Sequence, residues 1–512
     1  MNQMLFGDPL KLNATRYAEK EALSFQSNKY TYQQFNERVN KLGHALQNYG
    51  VQKGDKVAFM LFNCNQLVET IYACSKIGAI FVPINSRFIG REIQHVLQNS
   101  QASMLIYDYR FSDEVQKAAE KVTFTKIFIT VHGEDNFAEE EYENWISSFD
   151  ISEPELDKPL LETDEICYLY TGGTTGLPKG AVHTHRSLYM VGLLFSIEFS
   201  IGRKGKGLVS GPLYGAAALS VAIPNIFVGN PLHILENFHP LEVLKAIEEE
   251  KTTTTFLAPP MLNAIFALPD EVKNAYNMTS MKTVISVGAP LLNKTKSQTI
   301  AFFPEAEINE FYGASEHGGS TNLFPEYMTQ KDRSVGLPML GMDVKLLDEE
   351  GKDVKQGNVG EIYVKGLTLC QGYFNNEKAT NKAFRGEWLG LGDMATQDDE
   401  GFYYLVERKQ DMILSGAINI YPTEMEEVIH EHPKVADVAV IGMPDDKWGE
   451  VPMAIIVAKP NETLTSKEIL TFCKENMASY KVPHRIEFIE ELPRNLQGKV
   501  LKFQLRETFG IK

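Results

Sequence analysis

The run Tyr170–Ala181 reads YTGGTTGLPKGA and gathers in one short stretch what a polyphosphate needs. Gly172, Gly173 and Gly176 let the backbone approach a ligand closely and adopt positive φ. Thr171, Thr174 and Thr175 add hydroxyl donors and Lys179 a positive charge, while successive backbone N–H groups can form an anion nest. Glycines alone would equally suit a flexible surface loop. The three threonines, the lysine, an apolar strand-like ICYLY before the run and a helical Ser187–Leu194 after it favour a ligand loop. It is not the G-x-x-x-x-G-K-[ST] phosphate loop: Pro178 precedes Lys179, and no such string occurs in the chain. A nucleotide here must be held by another design.

Other chemistry-bearing residues point away from metals and thiols. Cys64, Cys74, Cys167, Cys370 and Cys473 are widely spaced and odd in number, which suggests reduced thiols in a cytosolic protein. His183 and His185, like His430 and His432, form H-x-H pairs. The first pair belongs to the strand and turn after the glycine-threonine loop; the second flanks Pro433 on an expected surface. Metal binding is expected of neither.

The elements that must position the loop follow from periodicity. Phe35, Val39, Leu42 and Leu46 recur at helical spacing, with Thr31 placed to cap the start and Gly50 the end. Strands are expected at VAFMLF after Lys56, at IFVPI after Ala79, and near 104–107, 125–131, 254–258 and 283–287, with a helix from Leu67 to Ile77. This alternation implies parallel sheets with helices on both faces. From about residue 335 short strands alternate with turns, as in a small antiparallel sheet or barrel, and a new unit begins near 411. At 512 residues the chain requires more than one domain. The boundary is placed at 409–411.

A net charge of −17 opposes binding to nucleic acid or to an anionic membrane surface. The start of the chain lacks the pattern of a secretory signal. Gly207 to Leu235 carries no charged residue, but Pro212, Pro224, Asn225, Asn230 and Pro231 interrupt it, so a buried strand–helix segment is expected rather than a membrane span.

YTGGTTGLPKG closely resembles the phosphate loop of the adenylate-forming superfamily, which comprises acyl-CoA synthetases, peptide-synthetase adenylation domains and beetle luciferases. Similar motifs follow in the family's order over nearly the whole chain. The resemblance implies an α/β fold with a large N-terminal domain, residues 1–409, of two doubly wound α/β subdomains plus a small β-barrel. A small mobile α+β C-terminal domain, residues 410–512, completes it. Tyr312-Gly313-Ala314-Ser315-Glu316 looks like the family's Y-G-x-[TS]-E motif, in which Tyr312 would pack on adenine and Glu316 would help hold Mg²⁺, with Thr171 beside the ATP-bound ion. A hard cation bridging phosphates prefers such oxygen ligands. Gly288, in VGAPL, would let the base approach the backbone. Asp393 matches the ribose-binding aspartate, although Gly390 and Leu391 stand where relatives have Arg-Thr. Arg408 would contact ribose or the α-phosphate.

By the same resemblance Lys499, in LPRNLQGKVLK, is the catalytic lysine. A carboxylate attacking the α-phosphate brings two anions together, and a cation between them offsets charge that grows in the transition state. The family first makes an acyl-adenylate from a carboxylic acid and ATP. It then rotates the C-terminal domain about a hinge, here Gln410, and passes the acyl group to the thiol of coenzyme A. Gly416, Trp448 and Arg87 match coenzyme A contacts; Tyr214, Gly215 and Gly318 match the acyl pocket, with Gly215 standing where relatives carry histidine. The small residues around Gly215 and Gly318 suit either an acyl chain or close packing. A fatty or other hydrophobic acid is the expected substrate, and the absence of a basic residue in that cluster argues against a dicarboxylic acid. A cytoplasmic enzyme with no transmembrane segment is expected, and a homodimer is admitted. Transfer to a carrier-protein phosphopantetheine and a nucleotide-binding protein that has lost catalysis stay open as alternatives.

Overall fold

Local sequence sets the first helix directly. In Tyr32–Asn48, Thr31 Oγ1 accepts from Gln34 N at 3.2 Å and Gln34 Oε1 accepts from Thr31 N at 2.9 Å, a reciprocal cap. Phe35, Val39, Leu42 and Leu46 are fully buried along one face, and Gly50 follows the end at φ +82°. The computed structural model of the chain describes residues 3–171, 178–408, 411–415, 418–445, 448–477, 481–494 and 500–511, with only the backbone at 407, 408, 418 and 419.

The chain divides into two units. The larger comprises Met1–Asp332, Pro338–Asp343 and Val364–Leu389; the smaller comprises Arg333–Leu337, Val344–Tyr363 and Gly390–Lys512. Two α/β sheets build the larger unit. In the first, the strand order is Glu140–Glu141, Ile127–Val131, Met104–Asp108, Lys56–Met60, Ile80–Pro83, Glu165–Thr171 and Lys179–Thr184. All pairings are parallel except the last. The second sheet runs Gly318–Leu323, Glu307–Ala314, Thr283–Ser286, Thr254–Phe256, Gly207–Val209, Leu232–Ile234, Glu21–Phe25 and Asn28–Thr31. It is parallel except at the two ends of that run.

The uncharged stretch resolves into strand Gly207–Val209, helix Ala216–Val228 and strand Leu232–Ile234. Leu219, Ile223 and Ile226 of that helix are buried, so the lack of charge reflects burial inside the fold. Among the described residues no helix is long and apolar enough to cross a membrane. One local expectation changes: strand Glu165–Thr171 is followed by an antiparallel strand, Lys179–Thr184, before helix His185–Glu198 starts at its Thr184 cap. The glycine-threonine run therefore connects the strands of a hairpin and does not lead directly into a helix.

Each unit also carries short antiparallel pairings. On the large-unit side Phe384 pairs with Leu389 and Arg385 with Trp388. On the small-unit side Asp393 pairs with Arg408, Ala395 with Leu405 and Thr396 with Tyr404. The remainder of the small unit is organised by a long antiparallel ribbon, Val435–Asp445 with Gly449–Ala458. Its period-2 alternation feeds two cores: Val438, Val440, Ala454 and Ile456 enter one, Ala439, Ile441, Met453 and Ile455 the other. Covered on both faces, the ribbon reads as a continuous apolar run. His432 is corrected from surface to interior: it is 9% exposed and edge-on to Phe472 at 5.0 Å, while His430 is exposed.

Candidate functional site

Two hairpins, one from each large-unit sheet, meet end to end. The first carries Thr171 and Lys179 at the ends of its strands. Both flanks of the intervening run are tethered to helix Gly90–Ser100: Tyr170 Oη donates to Asn99 Oδ1 at 2.6 Å, and His95 Nε2 donates to the Pro178 carbonyl at 2.8 Å. The second hairpin, Glu307–Ala314 with Gly318–Leu323, carries Tyr312 to Ser315 on its outgoing strand and turn and presents Glu316 in the turn. Its strands approach so closely that a Cβ on Gly313 would lie 2.3 Å from the Gly318 carbonyl oxygen, so only glycine fits there. Gly288, at φ +97°, follows strand Thr283–Ser286.

Three contacts bind the hairpins together. Thr171 Oγ1 donates to Glu316 Oε1 at 3.3 Å. His183 Nε2 donates to the Ser315 carbonyl at 2.7 Å. The segment 370–374 lies along both, through Val182 N to Gly372 O, Phe374 N to Gly180 O and Cys370 N to Glu316 O. Burial pushes the His183 imidazole down to about 4, against the pull of the Ser315 carbonyl, so the ring is neutral at physiological pH. Glu316 is 7% exposed, and Tyr373 Oη also donates to its Oε1, at 2.8 Å. Lys179 Nζ lies 4.8 Å over the Tyr373 ring. Tyr312 is buried and its ring is 5.5 Å from that of His317.

A profile of the AMP-binding enzyme family matches residues 10–374, and one of the AMP-binding enzyme C-terminal domain matches residues 424–499. The chain belongs to the AMP-binding enzyme family. It is 34% identical over 94% of both chains to feruloyl-CoA synthase of an Amycolatopsis species. It is 32% identical to the long-chain-fatty-acid–CoA ligase FadD13 of Mycobacterium tuberculosis, over 94% of this chain and 93% of that one. Its fold matches the o-succinylbenzoate coenzyme A synthetase of Bacillus subtilis, solved with ATP and a magnesium ion, with a TM-score of 0.85 at 26% identity. That match covers 97% of this chain and 99% of the other.

Of the site residues expected from sequence, Thr171, Lys179, Tyr312, Gly313, Ser315 and Glu316 share the facing hairpins. In the small unit Asp393 and Arg408 are direct partners across an antiparallel pair, with Asp393 8% exposed. Gly172, Gly173, Thr174, Thr175, Gly176, Gln410, Gly416 and Lys499 lie outside the described residues. The frame around Lys499 is described: Arg494 and Val500 form an antiparallel bridge, and Leu501 N donates to Pro493 O at 2.7 Å. Past Gln410, Asp411 is buried and accepts from Arg506 Nη2 at 2.9 Å.

The acyl and coenzyme A candidates behave differently from one another. Buried Asn63 fixes the approach to Tyr214, donating to Gly211 O at 2.8 Å and accepting from Leu213 N at 2.8 Å. Burial raises the Tyr214 phenol, while the Ser86 hydroxyl and the Arg87 charge beside it act to lower it. At Gly215 a Cβ would meet only Pro212 O, at an ordinary 3.5 Å, so space stands open there. At Gly319 a Cβ would lie 2.5 Å from Met339 Sδ, which makes that glycine a packing residue. Gly318, at φ +66°, lies against Thr368. Trp448 is 44% exposed, with its N–H donating to Asp445 Oδ1 at 2.8 Å.

Sequence reasoning missed Tyr373, the carbonyl contact of His183, and Thr368, whose hydroxyl donates to His317 O at 2.7 Å. The HTH string gave a local sign only of the strand that carries His183. Nothing near residues 368–373 marks them as neighbours of Glu316.

Proposed function

We propose that this chain activates a carboxylic acid at the facing hairpin tips, with Thr171–Lys179 cradling the triphosphate of ATP and Lys499 brought in by the small unit. The chain is an AMP-forming acid–coenzyme A ligase: acid and ATP give acyl-AMP and pyrophosphate, and the acyl group then passes to coenzyme A. One observation carries the reading. A buried carboxylate, Glu316, is held by two hydroxyl donors on a single oxygen at the ends of a glycine-threonine loop. Isolated burial of a carboxylate is costly, and this one takes no hydrogen bond on Oε2 among the described residues. Such an oxygen suits Mg²⁺, with the Thr171 hydroxyl as a second hard donor. When bound with ATP, Mg²⁺ neutralises phosphate charge.

The remaining roles follow from charge and place. Lys179 supplies a cation at the loop end. Tyr312 and Gly288 receive adenine, Gly313 and Ser315 shape the turn beside it, and Asp393 with Arg408 receives ribose and the α-phosphate. Residues 1–409 form the adenylating domain and 410–512 a mobile domain that pivots at Gln410. Gly416, Trp448 and Arg87 serve coenzyme A; Tyr214, Gly215 and Gly318 line the acyl pocket. The acid is apolar, fatty or aryl, as the lack of a basic residue among the small residues around Gly215 and Gly318 supports. Five buried free thiols fit a cytoplasmic setting; a homodimer completes the expectation. Acid-dependent exchange of pyrophosphate into ATP, over fatty, aryl and branched acids, tests the reading. At least one apolar acid should drive exchange, and thioester should then form with free coenzyme A. Exchange with no acid on the panel would refute it.

A further inference from the structure

The segment Cys370–Phe374 lies outside every motif discussed above, yet it holds Glu316 at both ends. Its first backbone N–H, from Cys370, donates to the Glu316 carbonyl at 2.7 Å. Three residues on, the Tyr373 hydroxyl donates to the carboxylate at 2.8 Å, closer than the 3.3 Å donation from Thr171 to the same oxygen. The tyrosine is itself fixed. It bridges Ala181 in an antiparallel pairing, its N–H donates to Thr380 Oγ1 at 2.9 Å, and Gly372 before it turns at φ +137°, a conformation that side chains disfavour. The same ring underlies the Lys179 ammonium.

We infer that Tyr373 is a positioning residue for the metal-binding carboxylate: its hydroxyl occupies Glu316 Oε1, fixes the rotamer, and leaves Oε2 as the oxygen offered to Mg²⁺. The inference rests on the reading of Glu316 as a metal ligand. Without the phenol, Oε1 keeps only the longer Thr171 bond, and the carboxylate gains freedom that metal binding must then remove. Because phenylalanine retains the ring beneath Lys179, Tyr373→Phe isolates the hydroxyl.

The test is Mn²⁺ binding followed by electron paramagnetic resonance, with α,β-methylene-ATP present so that no turnover occurs. Tyr373→Phe should weaken Mn²⁺ binding about 10- to 100-fold, the worth of one hydrogen bond to a charged group. The variant should stay folded with some loss of stability, as expected when a buried carboxylate loses a donor, while its metal-free affinity for the nucleotide stays close to that of the parent. In a Glu316→Gln background, adding Tyr373→Phe should cost nothing further, because the carboxylate it positions is gone. Parent-like Mn²⁺ binding by folded Tyr373→Phe, or an undiminished loss in the Glu316→Gln background, would overturn the inference. A parent protein that binds the nucleotide but no Mn²⁺ would also overturn it, together with the metal reading of Glu316. Acid-dependent adenylation could survive that last result, so the two failures are separable.

Discussion

Glu316 in the large unit takes one hydroxyl from 145 residues upstream and another from 57 residues downstream. In the small unit, by contrast, Asp393 and Arg408 are partners in adjacent strands of one antiparallel pair, and Lys499 belongs to a short span closed by the Arg494–Val500 bridge. The large-unit site is thus assembled by tertiary structure, and its members share donors and acceptors. The small-unit groups are local in sequence. Damage to the first should spread into stability and metal binding together; damage to the second should alter chemistry and leave the fold alone.

The largest effect expected is on the local side. Lys499→Ala should lower acyl-adenylate formation about 10²- to 10³-fold, as loss of one charge-stabilising group does, with an unchanged melting temperature; single-turnover kinetics and calorimetry read the two. A matching fall in stability would break the contrast. Next, Asp393→Ala should raise KM for ATP about 10- to 100-fold, measured by steady-state kinetics at saturating acid. On the assembled side, His183→Leu leaves the half-buried Ser315 carbonyl without its donor. It should cost about 1–3 kcal/mol of stability and weaken nucleotide-dependent metal binding as well, which denaturant titration and Mn²⁺ binding check together.

A pH slope adds a further check. Burial holds His183 and His185 at about 4, below the ordinary 6.5. Above 6.5 both rings are neutral in folded and unfolded chains and add no dependence. As pH falls from 6.5 towards 4 the unfolded chain takes up protons that the folded chain refuses. Stability should then drop by about 1.4 kcal/mol per pH unit for each histidine. Below about 4 the loss levels off. Urea midpoints at pH 7, 6 and 5 measure this slope, and His183→Leu should remove about half of the histidine contribution.

What could be read from sequence divides along the same line. Features fixed by near neighbours were legible: the Thr31–Gln34 cap, the apolar face of Tyr32–Asn48, the parallel strands and the glycine-threonine run between two apolar segments. The antiparallel pairing of Lys179–Thr184 with Glu165–Thr171 was not: a strand was expected after the loop, but nothing local in KGAVHT names its partner. Tyr373 was invisible for the same reason. Its neighbours are set by an added bridge to Ala181, a choice made by the tertiary fold. His432 was misplaced because a polar side chain beside Pro433 looks like surface until Phe472 is seen to cover it.

The central claim is that the acid's own oxygen attacks the α-phosphate of ATP. It is tested by running a complete turnover, with coenzyme A, on a carboxylic acid labelled with ¹⁸O in both carboxyl oxygens. Mass spectrometry of the released nucleotide should find AMP carrying one ¹⁸O, left behind when the thiol displaces the adenylate. Thioester formed alongside unlabelled AMP, or alongside ADP and phosphate, would contradict the account.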